Sequence, residues 1–99
     1  MAKTRPFDAA EYLDTPEAIA AYLTEAFETN DPAFITDAIG TVARARGMTA
    51  VAKEAGLARE NLYRALSSEG HPEFGTVIKV LASFGVHLHA QADKVREIA

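Results

Sequence analysis

The chain has 99 residues, a formal net charge of −4 and no cysteine. That length holds one domain, or one domain with short arms, and buries about 60–65% of its unfolded surface, enough for a core without covalent staples. A disulfide framework and a thiolate metal site are excluded, no apolar run reaches the length of a membrane span, and no segment reads as a secretory leader, so the expected location is the cytoplasm with no membrane contact.

Residues 1–14 show no sustained period, and Pro6 points to an extended N-terminal arm. Phe7, Tyr12 and Leu13 give that arm apolar residues able to dock on a neighbour. Thr15, Pro16 and Glu17 then start a helix: a hydroxyl to cap it, a proline at the first helical position, an acid in the first turn. Ile19, Tyr22, Leu23, Ala26 and Phe27 recur at i, i+3, i+4, i+7 and i+8, which predicts a buried stripe on a helix over 16–28. Thr29 and Asn30 end it. Asp31 and Pro32 repeat the start signal, and Phe34, Ile35, Ala38, Ile39, Val42 and Ala43 give a second stripe over 32–46. Gly40 inside this helix costs about 1 kcal/mol relative to alanine, which marks a close helix contact. Gly47 suits a C-terminal cap. Arg44 and Arg46 suit the helix dipole in the last turn and are also candidates for phosphate contact.

Residues 48–67 carry the features of a helix-turn-helix. Two short helices that cross must approach closely, and Ala52 is small enough to permit it. Gly56, four residues on, supplies the positive φ of the turn, and Leu57 plugs the corner. The second helix, expected over 58–67, places Ala58, Leu62, Ala65 and Leu66 on one face. Its other face holds Arg59, Glu60, Tyr63, Arg64 and Ser67, where a recognition helix needs groups that read bases and phosphates. Arg59 and Arg64 are the leading DNA-binding candidates, with Glu60, Asn61, Tyr63 and Ser67 adjoining and Lys53 and Ser68 as phosphate candidates. Glu60 and Arg64, four apart, would also suit an ordinary surface ion pair.

Residues 68–72 read as a turn. A fifth helix follows, with Phe74, Val77, Ile78, Leu81 and Ala82 on its expected inner face, Lys79 outward and Gly85 as its stop. Val86, His87, Leu88, His89 and Ala90 alternate strictly, which predicts a strand pairing with the N-terminal arm or with its copy in a second subunit. The expected fold class is therefore all-α, five helices with a short C-terminal β-strand. The expected organisation is an arm over 1–14, a DNA-binding domain over 15–91 and a tail over 92–99 containing Val95 and Ile98.

Charge is distributed unevenly. Residues 1–37 set Lys3 and Arg5 against eight acids, a balance of −6; residues 38–67 set five cations against Glu54 and Glu60, a balance of +3. Phosphate attraction is felt over a Debye length of about 8 Å, so the local sign governs docking on DNA. The acidic half suggests a second, basic partner. No enzyme motif is present: no cysteine nucleophile, no G-x-S-x-G, no P-loop, no H-E-x-x-H. No catalytic residue, cofactor or metal is expected. His87 and His89 lack a nearby third ligand in sequence, and His71 before Pro72 suits a turn or helix cap.

Residues through most of the chain resemble one family. They are Phe7 and Asp8; Tyr12 to Glu17 as a block; Asp31 and Pro32 with Phe34 and Ile35; Ala43, Arg44 and Ala45 with Gly47 and Met48; Gly56, Leu57, Arg59, Glu60, Leu62 and Tyr63; Ala65, Leu66 and Ser67; Gly70, Pro72 and Phe74; and the run 77–81. Together they cover about 7–90 and include the linkers. The pattern resembles the addiction-module antidote proteins, antitoxins with a lambda-repressor-like (XRE/HigA-type) helix-turn-helix. The resemblance implies a homodimer that binds an operator in its own promoter and neutralises a RelE/ParE-like toxin. Ala58 departs from the family, standing where serine or threonine usually caps the recognition helix, a loss of about 1 kcal/mol. The same residues also suit a stand-alone transcriptional repressor, or an interaction module without DNA binding.

Overall fold

Thr15 opens the first helix as its residue type requires: its hydroxyl accepts from the Ala18 amide at 3.0 Å, and Pro16 follows at the first helical position. The structure, a computed structural model, describes residues 12–93. It contains α1 (Pro16–Phe27), α2 (Pro32–Arg46), α3 (Met48–Ala55), α4 (Arg59–Ala65) and α5 (Phe74–Ser83). Asp31 caps α2 through Oδ1, which accepts from Ala33 and Phe34 amides at 3.1 and 3.4 Å. Such caps are each worth about 1 kcal/mol and fix where the α1–α2 hairpin turns.

The core is one continuous apolar cluster. Ile19 and Leu23 of α1, Ile39 and Val42 of α2, Val51 of α3 and Leu62 of α4 all belong to it. α3 is the hub: it packs on α2, α4 and α5, while α1 packs on α2. Leu13 is also buried and lies beside Ala45, Ala50 and Val51, so the end of the expected arm is docked on α2 and α3. Tyr12 is exposed, and Phe7 lies outside the described residues.

Two glycines act through steric room. Gly40 of α2 is buried, and a Cβ there would stand 3.1 Å from the Leu66 carbonyl oxygen. The glycine predicted to mark a close contact is where α2 meets the end of α4. Gly70 is tighter: a Cβ would overlap the carbonyl oxygens of Ala65 and Arg64. The loop after α4 therefore folds back onto that helix's C-terminus, and the Gly70 amide donates to the Ser67 carbonyl at 2.9 Å.

Two expectations need correction. Of the expected inner face of α5, Val77 and Leu81 do pack on the core, but Phe74, Ile78 and Ala82 do not. Phe74 is 71% exposed and Ile78 41%, whereas Val80 and Phe84 are fully buried beside Leu81. The helix has apolar residues on two overlapping stripes, and packing on α3 selects the one that buries Phe84 rather than Phe74. The strand over 86–90 is not formed: among the described residues no strand is present. The Val86 amide instead donates to the Leu81 carbonyl at 3.1 Å, closing the end of α5. Val86 is half-buried and packs on the core, while His87, Leu88, His89 and Ala90 are exposed. Residues 86–93 run beside α1, with Ala20, Thr24 and Phe27 across a shallow groove. No described neighbour offers an edge to pair with, and residues 1–11 of the arm named as a partner lie outside the described residues.

These contacts predict opposite outcomes at two glycines. Gly70→Ala should lose about 1–3 kcal/mol of stability in chemical denaturation, because backbone oxygens must move. Gly75→Ala, with nothing within 4 Å of its Cβ position inside α5, should gain up to about 1 kcal/mol. Equal effects of the two would contradict this packing.

Candidate nucleic-acid interface

The turn between α3 and α4 sets the direction of everything on α4. Gly56 adopts φ 72° and ψ 34°, the left-handed conformation that glycine accepts without a Cβ clash. The Leu57 amide donates to the Ala52 carbonyl at 2.9 Å and the Gly56 amide to Lys53 at 3.2 Å. This is the Schellman arrangement, with Leu57 folded against the core after the cap.

α4 is shorter than the expected 58–67. Ala58 precedes it with no side-chain cap bond, as its methyl group dictates, and remains exposed. Leu62, with no exposed surface, and Leu66 anchor the inner face. The remaining positions point to solvent: Arg59, Tyr63 and Ser67 along one edge at i, i+4 and i+8, Glu60 between, and Asn61 with Arg64 along the other edge. All six are exposed, so the structure brings these sequence candidates to one surface.

The polar contacts on that surface are intrahelical. Arg59 Nη2 donates to the Tyr63 phenol oxygen at 3.2 Å, and its guanidinium carbon lies 5.0 Å from the ring centroid. Arg64 Nη1 donates to Asn61 Oδ1 at 3.1 Å. The ion pair that Glu60 and Arg64 could form at i,i+4 is not made; Arg64 turns to Asn61 instead. The Ser67 hydroxyl donates to the Arg64 carbonyl at 2.9 Å, closing the last turn of α4. Lys53 is exposed on the last turn of α3, off the α4 surface, and Ser68 is exposed in the turn after α4.

Arg44 joins this region by a route its sequence position does not reveal. Its Nη1 stands 3.2 Å from the point where a Gly40 Cβ would be, and the Leu66 carbonyl stands 3.1 Å from that same point. Its Nη2 donates to Thr41 Oγ1 at 3.4 Å. The absent Cβ thus leaves room for a cation at the C-terminal end of α4. Gly40 was the signal, read as a helix contact but not as space for a side chain. Arg46 is exposed one half-turn further on.

The uneven charge of the sequence persists at the surface. Asp14, Glu17, Glu25, Glu28, Asp31 and Asp37 are all exposed, and no lysine or arginine occurs between positions 6 and 43. From Arg44 through α4 the exposed charge is mainly cationic. Among the described residues no group of three His, Asp or Glu side chains is placed to hold a metal ion, His87 and His89 included. No described helix is long and apolar enough to cross a membrane.

No solved structure matches the chain. A protein of Haemophilus influenzae described as uncharacterized is 40% identical over 90 residues, which is 91% of this chain and 93% of the relative. The sequence pattern of the family described as "Probable addiction module antidote protein" matches residues 3–92, spanning α1 to α5 and the segment after α5. The chain belongs to that family of addiction module antidote proteins.

Proposed function

We propose that this chain is the antitoxin of a type II toxin–antitoxin module: a homodimer that represses its own operon through α4 and neutralises a RelE/ParE-like toxin. Membership of the antidote family supports the antitoxin role. The single observation carrying the DNA-binding role is the α4 surface, where a buried Leu62 anchors a short helix whose exposed side holds Arg59 and Arg64. α3 and α4 act as the helix-turn-helix of a lambda-repressor-like domain over 15–91, with residues of 1–14 and 92–99 as flanking arm and tail.

In this reading α4 enters the major groove. Arg59 and Arg64 contact base edges or phosphates, Glu60, Asn61, Tyr63 and Ser67 adjoin them, and Lys53 and Ser68 meet the backbone. A single module of this size buries only about 600–1,000 Å² on DNA. Two copies, with their α4 helices about 34 Å apart on successive turns, supply operator-level affinity. The exposed acids of α1 and early α2 match a toxin with a basic surface and would repel phosphate, so the two ligands are kept to separate parts of the chain.

Filter binding to the chain's own promoter fragment tests the DNA role. Arg59→Ala and Arg64→Ala should each weaken binding by about 1–3 kcal/mol, and wild-type affinity should fall steeply as salt rises. Binding unchanged in both variants would mean that another surface meets DNA. For the antitoxin role, the product of the adjacent reading frame should co-purify with this chain and arrest growth only when expressed without it. A neighbour that neither binds nor harms cells would leave a stand-alone repressor.

A further inference from the structure

We propose that Tyr63 and Asn61 are positioning residues for DNA recognition, each holding one α4 arginine in the direction from which it reads the duplex. The proposal rests on the DNA-binding reading above and goes beyond it by separating the residues that touch DNA from those that aim them.

α4 has seven residues and no side-chain cap, so its backbone end offers little to a ligand. Recognition then falls to the two arginines. A free arginine on a helix surface samples many rotamers, and ordering it on binding is costly. Neither arginine is free here. Arg59 reaches forward along the helix to Tyr63, with a hydrogen bond of 3.2 Å and the guanidinium 5.0 Å from the ring centroid. Arg64 reaches back to Asn61 at 3.1 Å. The tethers run in opposite directions, so both guanidiniums are drawn over the central turn of α4.

The donor count leaves both arginines able to read. A guanidinium has five N–H groups, and each tether uses one. The unused N–H groups suffice for the two-pronged contact to a guanine edge. Glu60, the carboxylate between them, pairs with neither arginine. No carboxylate therefore takes up a guanidinium N–H group on this surface. Tyr63 is 45% exposed and lies outside the core, so its role is not to hold the fold.

A double-mutant cycle tests this, measured as the ratio of affinities for the promoter fragment and a scrambled duplex. Tyr63→Leu should lower that ratio about three- to tenfold in the wild-type background, with an unchanged thermal midpoint. In the Arg59→Ala background it should have no further effect, because the residue it aims is gone. Asn61→Ala should behave the same way against Arg64→Ala. Tyr63→Phe, which keeps the ring under the guanidinium, should retain more of the ratio than Tyr63→Leu. Equal losses from Tyr63→Leu in the wild-type and Arg59→Ala backgrounds would overturn the positioning role while leaving DNA binding intact. A wild-type protein with no preference for the promoter fragment would overturn the DNA-binding reading itself, and this proposal with it.

Discussion

One backbone closure governs the molecule: the Leu57 amide folded back onto the Ala52 carbonyl, with Gly56 left-handed between them. It ends α3 and aims α4 in the same step. α4 cannot aim itself. Seven residues without an N-terminal cap lie well below the length at which a helix holds in water, about 12–15 residues. Its orientation comes from outside, through Leu62 and Leu66 in the core, the Leu66 carbonyl against Gly40, and Gly70 closed over the Arg64 and Ala65 carbonyls. Complete burial of one leucine is worth about 1.5–3 kcal/mol. A few such contacts exceed the weak propensity of the segment, and the exposed side is then free of any packing duty. α3 is central for the same reason: it alone touches α2, α4 and α5 strongly, and it holds the turn that α4 leaves from.

The surface follows from where charge sits in the chain. Because cations are absent between positions 6 and 43, α1 and most of α2 can only be acidic or neutral outside. The first cation after that gap, Arg44, is the one that lies beside the end of α4. Core geometry therefore sorts the charge: the hairpin of α1 and α2 brings acids outward, and the last turn of α2 delivers an arginine to the region of α4. The net charge of −4 hides this completely. Local sign matters more than the total where screening acts over about 8 Å.

Much of the architecture was legible because local chemistry and global packing agree. Thr15 and Asp31 are caps by residue type and caps in the structure. Gly56 was readable as a left-handed turn because no other residue near it tolerates that conformation as easily. The buried residues Leu62 and Leu66 followed from the spacing along one face of the second helix. α5 was not legible to the same degree. Apolar residues at 74, 77, 78, 80, 81, 82 and 84 satisfy more than one helical stripe, and only α3 on the other side decides between them. The alternation at 86–90 corresponds to no strand among the described residues: period two reports which side is apolar, not whether an edge exists to pair with. At the α4 surface the sequence showed which residues face out, but not that Arg64 would choose Asn61 over Glu60, nor that Arg44 would arrive from 20 residues away.

That preference of Arg64 bears on how such a surface works. An exposed Glu–Arg pair four apart is worth only a few tenths of a kcal/mol, so a neutral amide competes readily for the guanidinium. The choice has a consequence out of proportion to its energy. A carboxylate partner would occupy guanidinium N–H groups and bring a counter-charge into contact with them, whereas Asn61 takes one N–H and brings no charge. Arg59 likewise has no carboxylate partner: it meets the phenol oxygen and the aromatic face of Tyr63. α4 thus holds both arginines through partners that are not acids. Its arginines are each tethered to a neighbour on the helix, and no carboxylate occupies their N–H groups.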